Sequence, residues 1–363
     1  MTTIAEVAAH LESLVPLAWQ EDYDNCGLLA GDPKAEVKGV LLSLDCTEET
    51  LEEALEAGAN LIISHHPVIF KAIKKLSGAS YAERIIRKAM RNDIALYAGH
   101  TNWDNYKQGV NWKIAEKLGL QNPKILIPKN DLWKLTVFIP KDHCEQTVNA
   151  LHEAGAGSVG HYEYCSFRTE GEGFFKPKKE AKPFIGKPGK AEKVTEIRVE
   201  LLVNNHLKNK ALKVLNEVHP YEEAAYFLHP VGNPNQDLGA GMIGNLPVPI
   251  EAHEFLNTVK KTFNTTVRHT KIVKQTIGKV AVCGGSGSFC LSAAKAAKVD
   301  ILITADFKYH EFFDADGSLI VADIGHYESE QFTPELFYDV LKEKFTTFAI
   351  NFSKTNTNPF TFL

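Results

Sequence analysis

The sequence predicts an α/β protein: a duplicated α/β outer domain, with mixed sheets covered by helices, interrupted by an inserted α+β domain of ferredoxin-like order. Three observations predict it. Strand-length apolar runs alternate with helix-period segments from Gly39 to Gly119 and again from Lys279 onward, the pattern of sheets buried on both faces. The second stretch repeats the first in register. Between them the texture changes, and the expected boundaries are 1–129 with 237–363 for the discontinuous outer domain and 130–236 for the insert.

Ile4, Val7, Ala8, Leu11 and Leu14 fall at helical spacing, and the turn-rich DYDNCGLLAGD follows. Gly39-VLLSLD reads as a strand, CTEETLEEALEAG as a helix capped by Thr47, and NLIISHHP as a second buried strand. YAERIIRKAMRN is a helix, IALYAGHTNWD a strand, and VNWKIAEKLG a further helix. In the insert, LWKLTVFIP, EIRVELLVN and AAYFLHPV are strands, and DHCEQTVNALHEAG and HLKNKALKVLNEV are helices. A further strand carries the long hairpin, giving the split β-α-β order, β-α-β-β-α-β. The hairpin tip, residues 174–193, holds seven lysines among prolines and glycines and reads as a solvated loop. Asp237-LGAGMIGNLP reads as the junction at which the outer domain resumes.

Composition narrows the function classes. The chain has 363 residues, 44% hydrophobic and 23% charged, with a formal charge of −5 from 40 basic and 45 acidic side chains. That is globular composition, and it argues against disorder, a fibrous protein or a polyanion coat, so nucleic acid is not the expected partner. Apolar runs such as Leu61–Ile63 and Val280–Cys283 fall far short of the ~20 residues of a membrane helix, so no membrane partner is expected. Glu6, His10 and Glu12 interrupt the apolar start, unlike a secretion signal. Cys26, Cys46, Cys144, Cys165, Cys283 and Cys290 show no paired spacing, as reduced thiols would, and a cytoplasmic location is expected.

The internal repeat carries the chemistry. VLLSLDCTEETLEEALEAGANLIISHH lies over VAVCGGSGSFCLSAAKAAKVDILITAD, and IALYAGHTNWD over LIVADIGHYESE. Both halves therefore end in Gly-His-x-x-x-carboxylate, with His100 over His326 and Asp104 over Glu330. Two such modules would aim the carboxyl ends of their strands at a shared crevice. There, imidazoles and carboxylates without thiolates suit divalent ions, zinc foremost and iron, manganese, cobalt or nickel as well. Neighbours in an extended segment point to opposite sides, so His65 and His66 would each hold one of two ions. His326 and Glu330 share a face if a helix follows the strand. Asp104 is the expected bridge, and His100 is either a ligand or the partner that orients one. Two ions would acidify a shared water. Other features admit two readings each. Cys283-GGSGS is a tight turn or an anion cradle, Asp306 and Tyr309-His310 are crevice-lining or ligand-orienting groups or simple helix caps, and Asp24–Leu28 is a loop over the pocket or merely a turn.

With these residues in hand, the chain resembles the Nif-three-like family, whose members are called GTP cyclohydrolase I type 2 homologs. The matching elements are DNCGLLAGD, SHHP at 64–67, GHTNWD at 99–104, GGSGS at 284–288, TADFKYHE at 304–311 and GHYESE at 325–330. The resemblance implies two divalent metals held by His65, His66, Asp104, His326 and Glu330. It implies a ring-shaped homohexamer, and it implies that the insert resembles the PII and CutA trimeric proteins. The function so implied is metal-dependent hydrolysis by a metal-bridging hydroxide, with GTP or another nucleotide as substrate and His100 or Glu330 assisting proton transfer. The rivals are a two-metal phosphoesterase using Gly284–Ser288 and a metal-binding regulatory or scaffold protein without turnover.

Overall fold

The computed structural model describes residues 1–361 and divides into two compact units, Met1–Pro128 with Asp237–Leu363, and Lys129–Gln236. In chain order the first unit begins with α1 (Ile4–Leu14), β1 (Gly27–Ala30), β2 (Gly39–Ser43), α2 (Glu48–Glu56), β3 (Leu61–Ser64) and α3 (Tyr81–Arg91). It continues through β4 (Ala95–Ala98), α4 (Thr101–Asn105), α5 (Val110–Lys117) and β5 (Gln121–Lys129). The second unit comprises β6 (Leu132–Pro140), α6 (Cys144–Glu153), β7 (Phe167–Phe175), β8 (Glu192–Asn204), α7 (Lys208–Val218) and β9 (Tyr226–Pro230). The first unit then resumes with β10 (Asn235–Glu251), α8 (Ala252–Thr262), β11 (Arg268–His269), β12 (Thr276–Ser286), α9 (Leu291–Ala296) and β13 (Ile301–Ala305). It ends with β14 (Ile320–Asp323), α10 (His326–Glu330), α11 (Thr333–Lys344) and β15 (Ala349–Phe352).

The duplication is visible in the two sheets of the first unit. Their strand orders are β1-β4-β3-β2-β15 and β11-β14-β13-β12-β10-β5, each with three parallel central strands and an antiparallel strand beside the third. Val40 pairs with Leu61 and Val280 with Ile301, the same register in both repeats. Alternate side chains point to opposite faces. Val40, Leu42, Leu61, Ile63 and Tyr97 therefore share one core with Val280, Val282, Ile301, Ile303 and Ile320 and with apolar residues of α1, α5, α8 and α11. Leu41, Ile62 and Leu96 face α2 and α3 on the other side, and Ala281, Leu302 and Val321 face α9. At ~1.5–3 kcal/mol for each fully buried aliphatic side chain, these double-faced strands hold the unit together. They also fix where the ends of β3, β4, β13 and β14 lie.

Three stretches differ from the sequence reading, the first being the turn-rich loop expected over 22–32, in which Gly27–Ala30 form β1 and pair with β4. The strand expected over 94–104 stops at Ala98, because a Cβ on Gly99 would lie 2.7 Å from the Trp103 ring and Asp24 accepts the Thr101 amide, turning the chain into α4. The supposed junction at 237–247 lies inside the 17-residue β10. Gly239 there marks a close approach rather than a turn: a Cβ would sit 2.2 Å from the Ile127 carbonyl of β5. Pro247 and Pro249 fall where the β10–β12 register shifts, a place in which a missing N–H does no harm.

The second unit is a four-stranded antiparallel sheet of order β7-β8-β6-β9, the ferredoxin-like arrangement. Leu135, Val137, Val199 and Leu201 pack against Val148 and Leu151 of α6 and Ala211 and Leu215 of α7.

Candidate metal centre

β3 ends in Ser64, whose hydroxyl donates to the His66 carbonyl at 2.9 Å, while the Leu44 carbonyl accepts both histidine amides. This pins His65 and His66. The His65 Nδ1 faces the Gly99 carbonyl at 2.8 Å, so Nδ1 carries the proton and Nε2 is left bare. Nε2 is buried without a hydrogen-bond partner, and so is Asp104 Oδ1, 3.6 Å away. Asp104 comes from the first turn of α4. Glu330 ends α10, one helical turn after His326, with Nε2 and Oε2 3.1 Å apart. The shared helix face expected of that pair is present.

Glu330 is the hub. Its side chain is 3% exposed, and Oε2 lies 3.0 Å from His66 Nε2, 3.1 Å from His326 Nε2 and 3.7 Å from His65 Nε2. Two donor groups result: His65, Asp104 and Glu330; and His66, His326 and Glu330. The carboxylate common to both is Glu330, not Asp104 as the sequence suggested. His100 forms a third grouping with His65 and His66.

Three carboxylates orient the imidazoles. Asp45 accepts from His66 Nδ1 at 2.7 Å, Asp306 from His326 Nδ1 at 2.7 Å, and Asp24 from His100 Nδ1 at 2.8 Å. Each leaves Nε2 aimed inward, as in a ligand with a supporting acid. Thr357, in the segment after β15, donates to Asp45 at 2.5 Å, and Asn358 donates to Glu328. Asp45, the role of Asp24 as orienter, and Thr357 escaped the sequence reading, because each partner lies far away in the chain and nothing in its own motif marks it.

The electrostatics follow from this crowding. Burial alone would lower His66, but the Asp45 and Glu330 carboxylates push it up to about 9. His326, which burial would also lower, is raised to about 11 by the Glu330 and Asp306 carboxylates. Burial and then the Glu330 charge raise Asp104 to about 7. Glu330 is held well below the carboxylate range, the neighbouring imidazoles overcoming its burial, and Asp24 is likewise held low by His100.

The donor set fits divalent ions. Bonds near 2.1 Å set donors about 3.4 Å apart in a tetrahedron and about 3.0 Å apart in an octahedron. His66 Nε2, His326 Nε2 and Glu330 Oε2 form a triangle with sides of 3.0, 3.1 and 3.3 Å. The orphaned pair, His65 Nε2 and Asp104 Oδ1, faces the same carboxylate. Hydrogen bonding alone leaves these two atoms unsatisfied, at a cost of ~1–3 kcal/mol each.

The sequence model of the Duf34/NIF3 (NGG1p interacting factor 3) family matches residues 2–359. The chain belongs to the Duf34/NIF3 family. A GTP cyclohydrolase 1 type 2 homolog from Halalkalibacterium halodurans is 40% identical over 348 residues, 94% of this chain and 93% of its own length. One of the same name from Bacillus subtilis is 37% identical over 364 residues, 97% of this chain and 96% of its own. A Bacillus cereus protein related to NIF3 superposes with a TM-score of 0.82 at 36% identity, covering 100% of this chain and 99% of the other.

The remaining motifs of this NIF3-family chain resolve as follows. In the glycine run after Cys283 two amides are already engaged: the Gly284 amide donates to Asn111 and the Gly285 amide to Ser329. Gly285, at φ +59, is where a Cβ would meet Glu330 Oε1 at 2.4 Å, so the glycine makes room for the hub. Tyr309 and His310 are exposed, whereas Asp306 orients His326. No helix among the described residues is long and apolar enough to cross a membrane.

Proposed function

We propose that this NIF3-family chain is a dinuclear divalent-metal protein and a metal-dependent hydrolase of small substrates, nucleotides first among them. The observation that carries the reading is the pair of donor groups sharing Glu330, with two buried polar atoms that no protein group satisfies. His65 and Asp104 would hold one ion and His66 and His326 the other, with Glu330 common to both. Zinc suits a mixed nitrogen and oxygen set; iron, manganese, cobalt and nickel share that preference. Bound there, the ions supply Lewis acidity for the displacement and lower the pKa of water.

The protein's own part is positioning and proton handling. Asp24 fixes the His100 tautomer with Nδ1 protonated, which leaves Nε2 able to take a proton from water or return it to a leaving group. Glu330, surrounded by three imidazoles, acts as ligand rather than proton carrier. The relatives' shared name makes GTP the first nucleotide to try. The phosphoesterase alternative is the less supported, since two amides of its 284–288 run, those of Gly284 and Gly285, already donate to Asn111 and Ser329. A ring of six copies and a cytoplasmic location belong to the same proposal; the number of copies is read from mass in solution.

The test is elemental analysis of wild type beside a His65→Ala/His326→Ala double variant, then incubation of the metal-loaded protein with nucleotides. About two metal equivalents, lost in the variant, and ring opening or phosphate release support the reading. Metal binding with no nucleotide changed leaves a metal-binding regulatory protein; no metal after reloading overturns the centre.

A further inference from the structure

The second unit contains a cavity of about 560 Å³ between the lysine-rich hairpin tip and the segment that leads into β9. Its wall is aromatic. Phe175 and Tyr221 have ring centres 5.8 Å apart and Phe184 and Tyr221 6.5 Å apart, with Phe174 at the rim. Into this wall projects Glu196, from the middle of β8 and only 8% exposed. Oε1 accepts the Tyr221 hydroxyl at 2.8 Å. Oε2 lies across Gly173 of β7, where any Cβ would come within 2.2 Å of it. The sheet thus keeps a glycine where the carboxylate rests.

No ammonium or guanidinium group among the described residues pairs with Glu196, although the unit is rich in lysine and pairs Lys193 with Glu172 and Arg198 with Glu200 on the same strand. The nearby His219 is not the missing cation: burial holds its pKa down, its Nε2 donates to the Phe138 carbonyl, and its Nδ1 accepts the Tyr221 amide. Glu180, Glu222 and Glu223 also line the cavity, against Lys176 and Lys178, so carboxylates outnumber ammonium groups. A buried carboxylate without a cation is unfavourable for the free protein. Aromatic faces around a carboxylate are what binds an organic cation, the rings meeting the diffuse charge and the apolar body, the carboxylate fixing the charged end.

We infer that this cavity is a binding site for a small organic cation, an alkyl- or aryl-ammonium or guanidinium compound, seated against Phe175, Phe184 and Tyr221 with its charge on Glu196. The site is independent of the metal centre, and the inference does not rest on the hydrolase reading. The carboxylate of Glu196 is the recognition group and the Tyr221 hydroxyl holds it in place.

The test uses the full chain with benzylammonium and agmatine as probes and benzyl alcohol as the neutral control, read by calorimetry and by saturation-transfer NMR. Saturable, salt-weakened binding of a cation but not of the alcohol is expected. Glu196→Gln, which keeps the shape, weakens it at least about tenfold. The same variant melts higher than wild type without ligand, because the unpaired charge is gone, and loses the ligand-induced rise in Tm. Phe184→Ala weakens the aryl cation more than agmatine. The inference is overturned if neither cation saturates the site, if benzyl alcohol binds as well as benzylammonium, or if Glu196→Gln binds both cations unchanged.

Discussion

Replacing Glu330 with Gln tests the centre at its hub and does so even without metal. In the chelator-treated protein, His66 is a charged imidazole held between Asp45 at 2.7 Å and Glu330 at 3.0 Å. Raising it from 6.5 to about 9 corresponds to about 3 kcal/mol of net attraction for the protonated form. With two carboxylates providing that attraction, Glu330→Gln should cost roughly 1–2 kcal/mol from His66 alone at neutral pH. A group whose folded-state pKa is raised contributes its full stabilisation below the unfolded value and loses it as pH rises through the folded one. The gap between wild type and variant should therefore be widest near pH 6, narrow as pH passes about 9 and close only above about pH 11, where His326, which Glu330 also raises, loses its proton. The assay is urea unfolding of metal-free protein across that range, with His66 followed by NMR. In the variant the His66 pKa should fall back toward the ordinary histidine value, and metal content after reloading should drop. Superimposable pH profiles, with His66 still titrating near 9, would refute the assignment of Glu330 as the charge that His66 and His326 share.

Three further outcomes follow from the same geometry. Metal binding near pH 7 should release at least the protons held by His66 and His326, and affinity should rise with pH; calorimetry in buffers of different ionisation enthalpy reads the number, and zero release contradicts it. Asp24→Asn removes the acceptor that fixes the His100 tautomer, so turnover by the loaded protein should fall about 10²–10⁴-fold with metal content unchanged, and the ¹⁵N shifts of His100 should show the altered tautomer. Gly285→Ala places a methyl against Glu330 and a side chain at φ +59; it should cost ~1–2 kcal/mol and lower metal content, and full loading of this variant would show that Glu330 is not needed where it lies.

The local part of this centre was legible in the sequence because its spacing is chemistry in one dimension. His65-His66 marks the end of an apolar run but lies in a bend after β3, where strand alternation does not set its geometry, whereas His326 with Glu330 four residues on states its geometry directly by helical pitch. The orienting acids do not. Asp24 meets His100 across 76 positions and Thr357 meets Asp45 across 312, so no local pattern announces either. The sequence expected Asp104 as the bridge, whereas the carboxylate common to both donor groups is Glu330: the two are equivalent in the repeat, and Gly284 and Gly285 leave room for Glu330 beside α10. The β10 strand was hidden because glycine and proline are uncommon inside strands, and here they serve close packing and a register shift.

The equal register of the two repeats makes their differences informative. Asp45 and Gly285 occupy corresponding places, as do His66 and Asp306. In the first repeat the pair is acid and imidazole, and Asp45 orients His66 toward the centre. In the second it is glycine and acid: Gly285 admits Glu330, and Asp306 orients His326. Had both repeats kept the first arrangement, a side chain at position 285 would displace the one carboxylate that both donor groups share. The specialisation gathers Asp24, Asp45, Asp104, Asp306 and Glu330 around four imidazoles, more negative charge than a buried site tolerates unless cations balance it. In the metal-free protein protons do so, which is why His66, His326 and Asp104 all titrate above their ordinary ranges. Those protons occupy the donor atoms that divalent ions would take, so the raised pKa values and the metal-binding reading are two consequences of the same charge distribution.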